Sequence, residues 1–101
     1  MPIQVERSND NHMSVVLDER FDFESVDPFR RSYESLENVR NKFIVIDFRN
    51  TRYIDSSALG MLINAKNHFD DLGAKMKLIN TNDQIKKIFS ISRFDKKFDI
   101  S

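Results

Sequence analysis

Cysteine and tryptophan are absent from the 101 residues, and glycine and proline occur only twice each. Without cysteine there is no disulfide, no thiolate nucleophile and no thiolate ligand, and a reducing cytoplasm is the natural setting. Gly60 and Gly73 are too few and too far apart for a glycine-rich loop that cradles phosphate. Neither sign of charge prevails, because 16 Lys and Arg balance 16 Asp and Glu. Such a chain lacks the whole-surface field that drives nonspecific binding to nucleic acid or anionic lipid. The pairs Lys86–Lys87 and Lys96–Lys97 read as solvated faces. No run approaches the roughly 20 apolar residues of a membrane span. The start, MPIQVERSND, has no apolar stretch behind a basic one, so no signal peptide is expected. These absences predict a cytoplasmic protein whose partners are neither nucleic acid nor membrane.

What is present suits one folded domain over residues 1–101: apolar residues are 40% of the chain, charged residues 32%, and nine Phe supply rigid core filler. IQVERS and HMSVVLD read as two short strands around an NDN turn. Val26, Phe29, Tyr33, Leu36 and Val39 then recur at three- and four-residue steps, predicting a helix with Ser25 as N-cap and Pro28 in its first turn. FIVIDF, residues 43–48, is a continuous apolar run, as expected of a strand covered on both faces. After a stub at Tyr53–Ile54 the helical period returns, with Ala58, Leu62, Ala65, Phe69 and Leu72 on one side and Gly73 as its stop. KMKLIN reads as a strand, and NDQIKKIFSIS as a short helix capped by Thr81 or Asn82 with Ile85, Ile88 and Phe89 inward. The tail, RFDKKFDIS, adds an edge strand or frays. Strands alternating with helices predict an α/β fold with a parallel or mixed sheet of four to five strands.

In open sheets of this kind, sites gather beyond the carboxyl ends of strands, where helices begin. Asp55, Ser56 and Ser57 fall at such a junction, in the stretch YIDSSALG. Read alone, an acid and two hydroxyls there are a helix cap, because a helix N-terminus presents unpaired N–H groups and a partial positive charge.

The stretch Ile54-Asp55-Ser56-Ser57-Ala58-Leu59-Gly60, with the strand before it and GAKMKLINTNDQIKKIFSIS after it, resembles the core of the STAS family of anti-sigma-factor antagonists. RFDF, residues 20–23, resembles the family's G-x-x-D element, with Glu19 in place of the Gly, and Ala58 stands where Gly is common. The resemblance implies a STAS-type fold and partner switching, with no enzyme activity and no cofactor. It makes Ser56 the phosphorylation site, with Ser57 the alternative. It implies a serine kinase of the histidine-kinase ATPase superfamily, often itself an anti-sigma factor, that binds the unphosphorylated protein, and a PP2C-type phosphatase that resets the switch. Asp55, Ser56, Ser57, Phe21, Asp22 and Tyr53 are the expected partner-binding residues, with Phe21, Phe23 and Tyr53 divided between core and contact and two of the three expected in the core. A monomer is expected, and control of biofilm, exopolysaccharide or motility is the implied setting.

Magnitudes place the switch in the interface. Phosphorylation adds roughly −1.5 to −2 charge. The helix N-terminus favours it by about 0.3–1 kcal/mol, while Asp55 opposes it by about 3–4 kcal/mol at an effective dielectric near 20. In a favourable site the helix term reaches about 2 kcal/mol and full solvent weakens the repulsion, so the terms are of the same order and the fold is expected to survive. Burying a dianion against a surface shaped for a hydroxyl costs on the order of 2–5 kcal/mol, roughly thirty-fold to a few thousand-fold in affinity.

Two other readings compete. Asp18, Glu19 and Asp47 at strand ends could form the Mg²⁺ pocket of a receiver-like domain carrying an aspartyl phosphate, although the chain begins with two strands and has no late Lys-Pro pair. Alternatively, the fold could be a passive scaffold in a transport complex. His12 and His68 lack short-spaced partner ligands, so no metal is expected. Ser56 also lacks the glycine-flanked elbow of a hydrolase nucleophile.

Overall fold

A computed structural model describes residues 3–9 and 11–101. The expected first turn is centred on Asp10, outside the described residues. The elements are β1 (Gln4–Asn9), β2 (His12–Val16), β3 (Arg20–Phe21), α1 (Val26–Glu34), β4 (Phe43–Asp47), β5 (Tyr53–Ile54), α2 (Ser56–Asp71), β6 (Lys75–Ile79), α3 (Asp83–Ile91) and β7 (Asp99–Ile100). Short 3₁₀ turns at Phe23–Ser25 and Phe94–Lys96 precede α1 and β7.

Five strands form one sheet in the order β1-β2-β4-β6-β7, with β1 antiparallel to β2 and the other pairs parallel. Each parallel step moves one place in the same direction. Right-handed crossovers then carry all three helices to one face. The register agrees: Met13, Ile44 and Met76 align, as do Val15, Ile46, Leu78 and Ile100, and all belong to or pack against the core cluster. Val16 and Val45 are buried but lie outside that cluster. Residues 44–48 are buried on both faces, as expected, but the two faces are covered differently. Among the described residues, no helix packs on the second face. Long side chains shield it instead: His12 stacks on Phe43 at 5.0 Å, and Lys77 Nζ lies 4.5 Å from the Phe43 ring centre.

The first helix is shorter than its apolar stripe. It ends at Glu34, and Leu36 and Val39 reach the core from a loop. Ser32 Oγ donates to Pro28 O and Ser35 Oγ to Ser32 O, and Asn38 and Asn41 take left-handed φ values of 56° and 64°. These are bonds and conformations that compete with helix propagation. Ser25 makes no side-chain cap to α1. The cap has moved upstream to Asp22, which forms a reciprocal capping box with Ser25 around the 3₁₀ turn. At the far end of α2, Gly73 N–H donates to Asp70 O and Ala74 N–H to Phe69 O, with φ of +77° at Gly73. Leu72, expected on the inner side, is 41% exposed because this reversal begins at that residue. Asn82 rather than Thr81 caps α3, and the tail forms β7 alongside β6.

Candidate functional site

The carboxyl ends of β2, β4 and β6 lead into one rim. Thr51, buried, donates its hydroxyl to Asp18 O at 2.8 Å and accepts Asn82 Nδ2 on its own carbonyl at 3.4 Å, joining three loops. Glu19 O accepts from Arg52 N–H at 2.8 Å and Tyr53 N–H at 3.2 Å. These bonds seat a two-stranded parallel ladder, Arg20 beside Tyr53 and Phe21 beside Ile54. Glu19 thus keeps the turn intact where a Gly was expected, and it is not among the residues with positive φ.

The ladder delivers the chain to α2. Asp55 has extended backbone and caps the helix, its Oδ1 accepting from Ala58 N–H at 3.2 Å. Ser56 is exposed at the first helical position, Ser57 is half-buried, and Ala58 is fully buried in the core. The Asp55 Oδ2 accepts from Phe23 N–H at 3.2 Å, so this one carboxylate joins α2 to the 3₁₀ turn. Asp22 Oδ1 accepts from Glu24 N–H at 3.1 Å, and its Oδ2 pairs with Arg20 Nε at 3.2 Å. The Arg20 guanidinium lies 4.3 Å from the Tyr53 ring centre.

Of the predicted contact residues, Asp22, Tyr53, Asp55, Ser56 and Ser57 come together here, but Phe21 does not reach the surface. It is 0% exposed, packed edge-on to Phe29 at 4.9 Å and Phe48 at 6.2 Å. Only one of the three aromatics is core: Phe23 is 73% and Tyr53 45% exposed. Strand β3 ends at Phe21, and the Asp22 cap turns the next residue outward. Sequence reasoning missed this turn and its bond to Asp55. The D-x-x-S spacing of Asp22 and Ser25 was the available signal.

The acids of the receiver-like reading do not converge. Asp47 Oδ1 accepts from Arg49 N–H at 2.9 Å and Asn80 Nδ2 at 3.0 Å. Among the described residues, no three His, Asp or Glu side chains are placed to hold a metal ion. His12 sits against Phe43, while His68 packs on Tyr33 and Phe69. No helix among the described residues is long and apolar enough to cross a membrane.

The family model described as STAS domain matches residues 3–101. The chain belongs to the STAS domain family. A STAS-domain containing protein of Pseudomonas aeruginosa, PA14_20770, is 37% identical over 89 residues, 88% of this chain and 87% of that protein. The fold matches the anti-sigma factor antagonist SpoIIAA in its unphosphorylated form with a TM-score of 0.72 at 16% identity, over 98% of this chain and 86% of that one. It matches the Bacillus cell fate determinant SpoIIAA in the phosphorylated form with a TM-score of 0.72 at 17% identity, over 98% and 90%. The mixed five-stranded STAS sheet excludes the receiver-like alternative.

Proposed function

We propose that this STAS domain is a partner-switching regulator. It binds a serine kinase of the histidine-kinase ATPase superfamily, an anti-sigma factor or its equivalent, while Ser56 is unmodified, and releases it once Ser56 is phosphorylated. The observation that carries this reading is the placement of Ser56. It is exposed at the start of α2, beside the Asp55 that holds the Phe23 turn, on a rim that offers two exposed aromatics. Exposed aromatics on a braced surface are suitable anchors for a protein partner.

In the transfer step, the ATP γ-phosphorus forms a bond to Ser56 Oγ as its bond to the bridging oxygen breaks. ADP leaves, and the hydroxyl proton passes to a base supplied by the kinase. A PP2C-type phosphatase then hydrolyses the ester with water, returning the hydroxyl and inorganic phosphate. The domain supplies no catalytic group; it acts in the cytoplasm as a monomer, in control of biofilm, exopolysaccharide or motility. Solved SpoIIAA structures in the unphosphorylated and phosphorylated forms resemble this chain to the same degree, which supports a switch that leaves the fold in place.

The test is to capture the partner with unphosphorylated chain, add ATP, and map the phosphate by mass spectrometry. Phosphate on Ser56 with loss of the captured protein is expected. Phosphate on Ser57 would move the acceptor, an acid-labile phosphate would contradict a serine ester, and no phosphate would favour the passive scaffold.

A further inference from the structure

A helix cap needs one carboxylate oxygen, yet Asp55 uses two. Oδ1 holds Ala58 N–H of α2, and Oδ2 holds Phe23 N–H of the 3₁₀ turn, each at 3.2 Å. The rest of that turn is braced by nearby residues: Asp22 N–H donates to Ser25 Oγ, Ser25 N–H to Asp22 O, and Ser25 Oγ to Arg20 O. The Phe23 ring, 73% exposed, has little packing to fix it. Its orientation therefore depends on its backbone, and its backbone N–H depends on the residue next to Ser56.

We propose that Asp55 is a positioning residue that transmits the state of Ser56 to Phe23. This rests on the reading of Ser56 as the phosphate acceptor. With a free hydroxyl at Ser56, the carboxylate bridges both N–H groups, and Phe23 is held where a partner meets it. A phosphoryl dianion one residue away repels the carboxylate and competes for the N–H groups that open α2. The local bond to the helix, three residues away in sequence, is kept or taken over by phosphate, and the bond across to Phe23, thirty-two residues away, is the one given up. The β3–β5 ladder is untouched, so the aromatic is released while the fold remains.

The experiment compares chains carrying serine or genetically encoded phosphoserine at position 56, each with Asp55 or with Asp55→Asn. Asn keeps a capping oxygen for Ala58 N–H, but its amide nitrogen cannot accept from Phe23. Hydrogen exchange of the Phe23 amide is read by NMR. Phosphoserine is expected to accelerate it about ten-fold in the native background, the scale of a lost charge-assisted hydrogen bond. Asp55→Asn should accelerate it equally in the serine form, with no further change from phosphoserine. A purely structural cap would not make Phe23 exchange depend on phosphate. Unchanged Phe23 exchange in the native-background pair, which needs no variant to fold, overturns the inference. If the captured kinase nevertheless labels Ser56 and lets go, the Ser56 reading stands without it. If the kinase labels another residue, both fall together.

Discussion

At Ser56, substitution separates the chemistry of the hydroxyl from its place in the helix. Ser56→Ala removes the proposed acceptor and should abolish kinase labelling while partner affinity is retained, as checked by phosphate incorporation and by calorimetry. Phe21 and Phe23 make a second contrast, two positions apart. Phe23→Ala deletes an exposed ring and should weaken partner binding by at least about 1 kcal/mol, with an unchanged melting temperature. Phe21→Ala deletes a ring with no exposure and should destabilise the fold by about 3–5 kcal/mol, lowering the melting temperature by more than 10 °C at about 4–8 °C per kcal/mol. Periodicity could not separate the two rings, because positions i and i+2 share a face for as long as a strand continues. What separates them is the cap at Asp22, whose acceptor role is visible only once the turn is built. Tyr33 titrates in a predictable direction. Burial, reinforced by Glu34 and opposed by Arg30, raises its phenol above the ordinary value. Below about pH 10 both folded and unfolded chains keep the proton and the contribution is fully present. As pH rises further the unfolded chain ionises first, and stability falls until the folded phenol ionises too. Thermal melts across the alkaline range should show this loss, and Tyr33→Phe should lack its share.

Among the elements, the long ones were legible from the sequence; of the two-residue ones, β5 was read only as a stub, β7 only as one of two options for the tail, and β3 not at all. Helix α2 announced itself through sixteen residues of periodic pattern, an acid at the cap and a glycine at the stop. Strands β3 and β5 carry two residues each, too few for any alternation to register. Their pairing depends on the carbonyl of Glu19, a contact more than thirty positions long in sequence. The early end of α1 has a similar cause: its apolar stripe continues to Val39 because a loop can also deliver side chains inward. Gly73→Ala tests the α2 reversal. A Cβ there would meet Arg40 Cγ at 3.3 Å, on a backbone with φ of +77°. The expected loss is about 1–2 kcal/mol, seen in chemical denaturation, with phosphorylation of Ser56 unaffected because Gly73 lies at the opposite end of the helix.

For the molecule as a whole, the one-sided placement of helices could not be read from FIVIDF alone. A strand in the middle of a parallel sheet is apolar whether its second face meets a helix or a cover of lysine stems. Strand order decides that point, and it is a property of the assembled sheet. In this architecture the proposed switch is a surface event. Ser56→Asp should weaken partner binding by roughly thirty-fold to a few thousand-fold, with circular dichroism indistinguishable from the parent. Loss of helical signal in that variant would show that residue 56 is needed for the fold itself.

Because β1 runs opposite to β2, Gln4 lies beside Val16, and Ile100 lies beside Leu78, with Ser101 accepting from Thr81. Gln4 and Ser101 therefore lie on the side that carries Ser56. A bulky reporter attached beside Gln4 or Ser101 would shade that rim, and an apparently inert labelled protein would say little about the native molecule. The bend where Asn41 N–H meets Gly73 O, at the far pole, is the better place for a label.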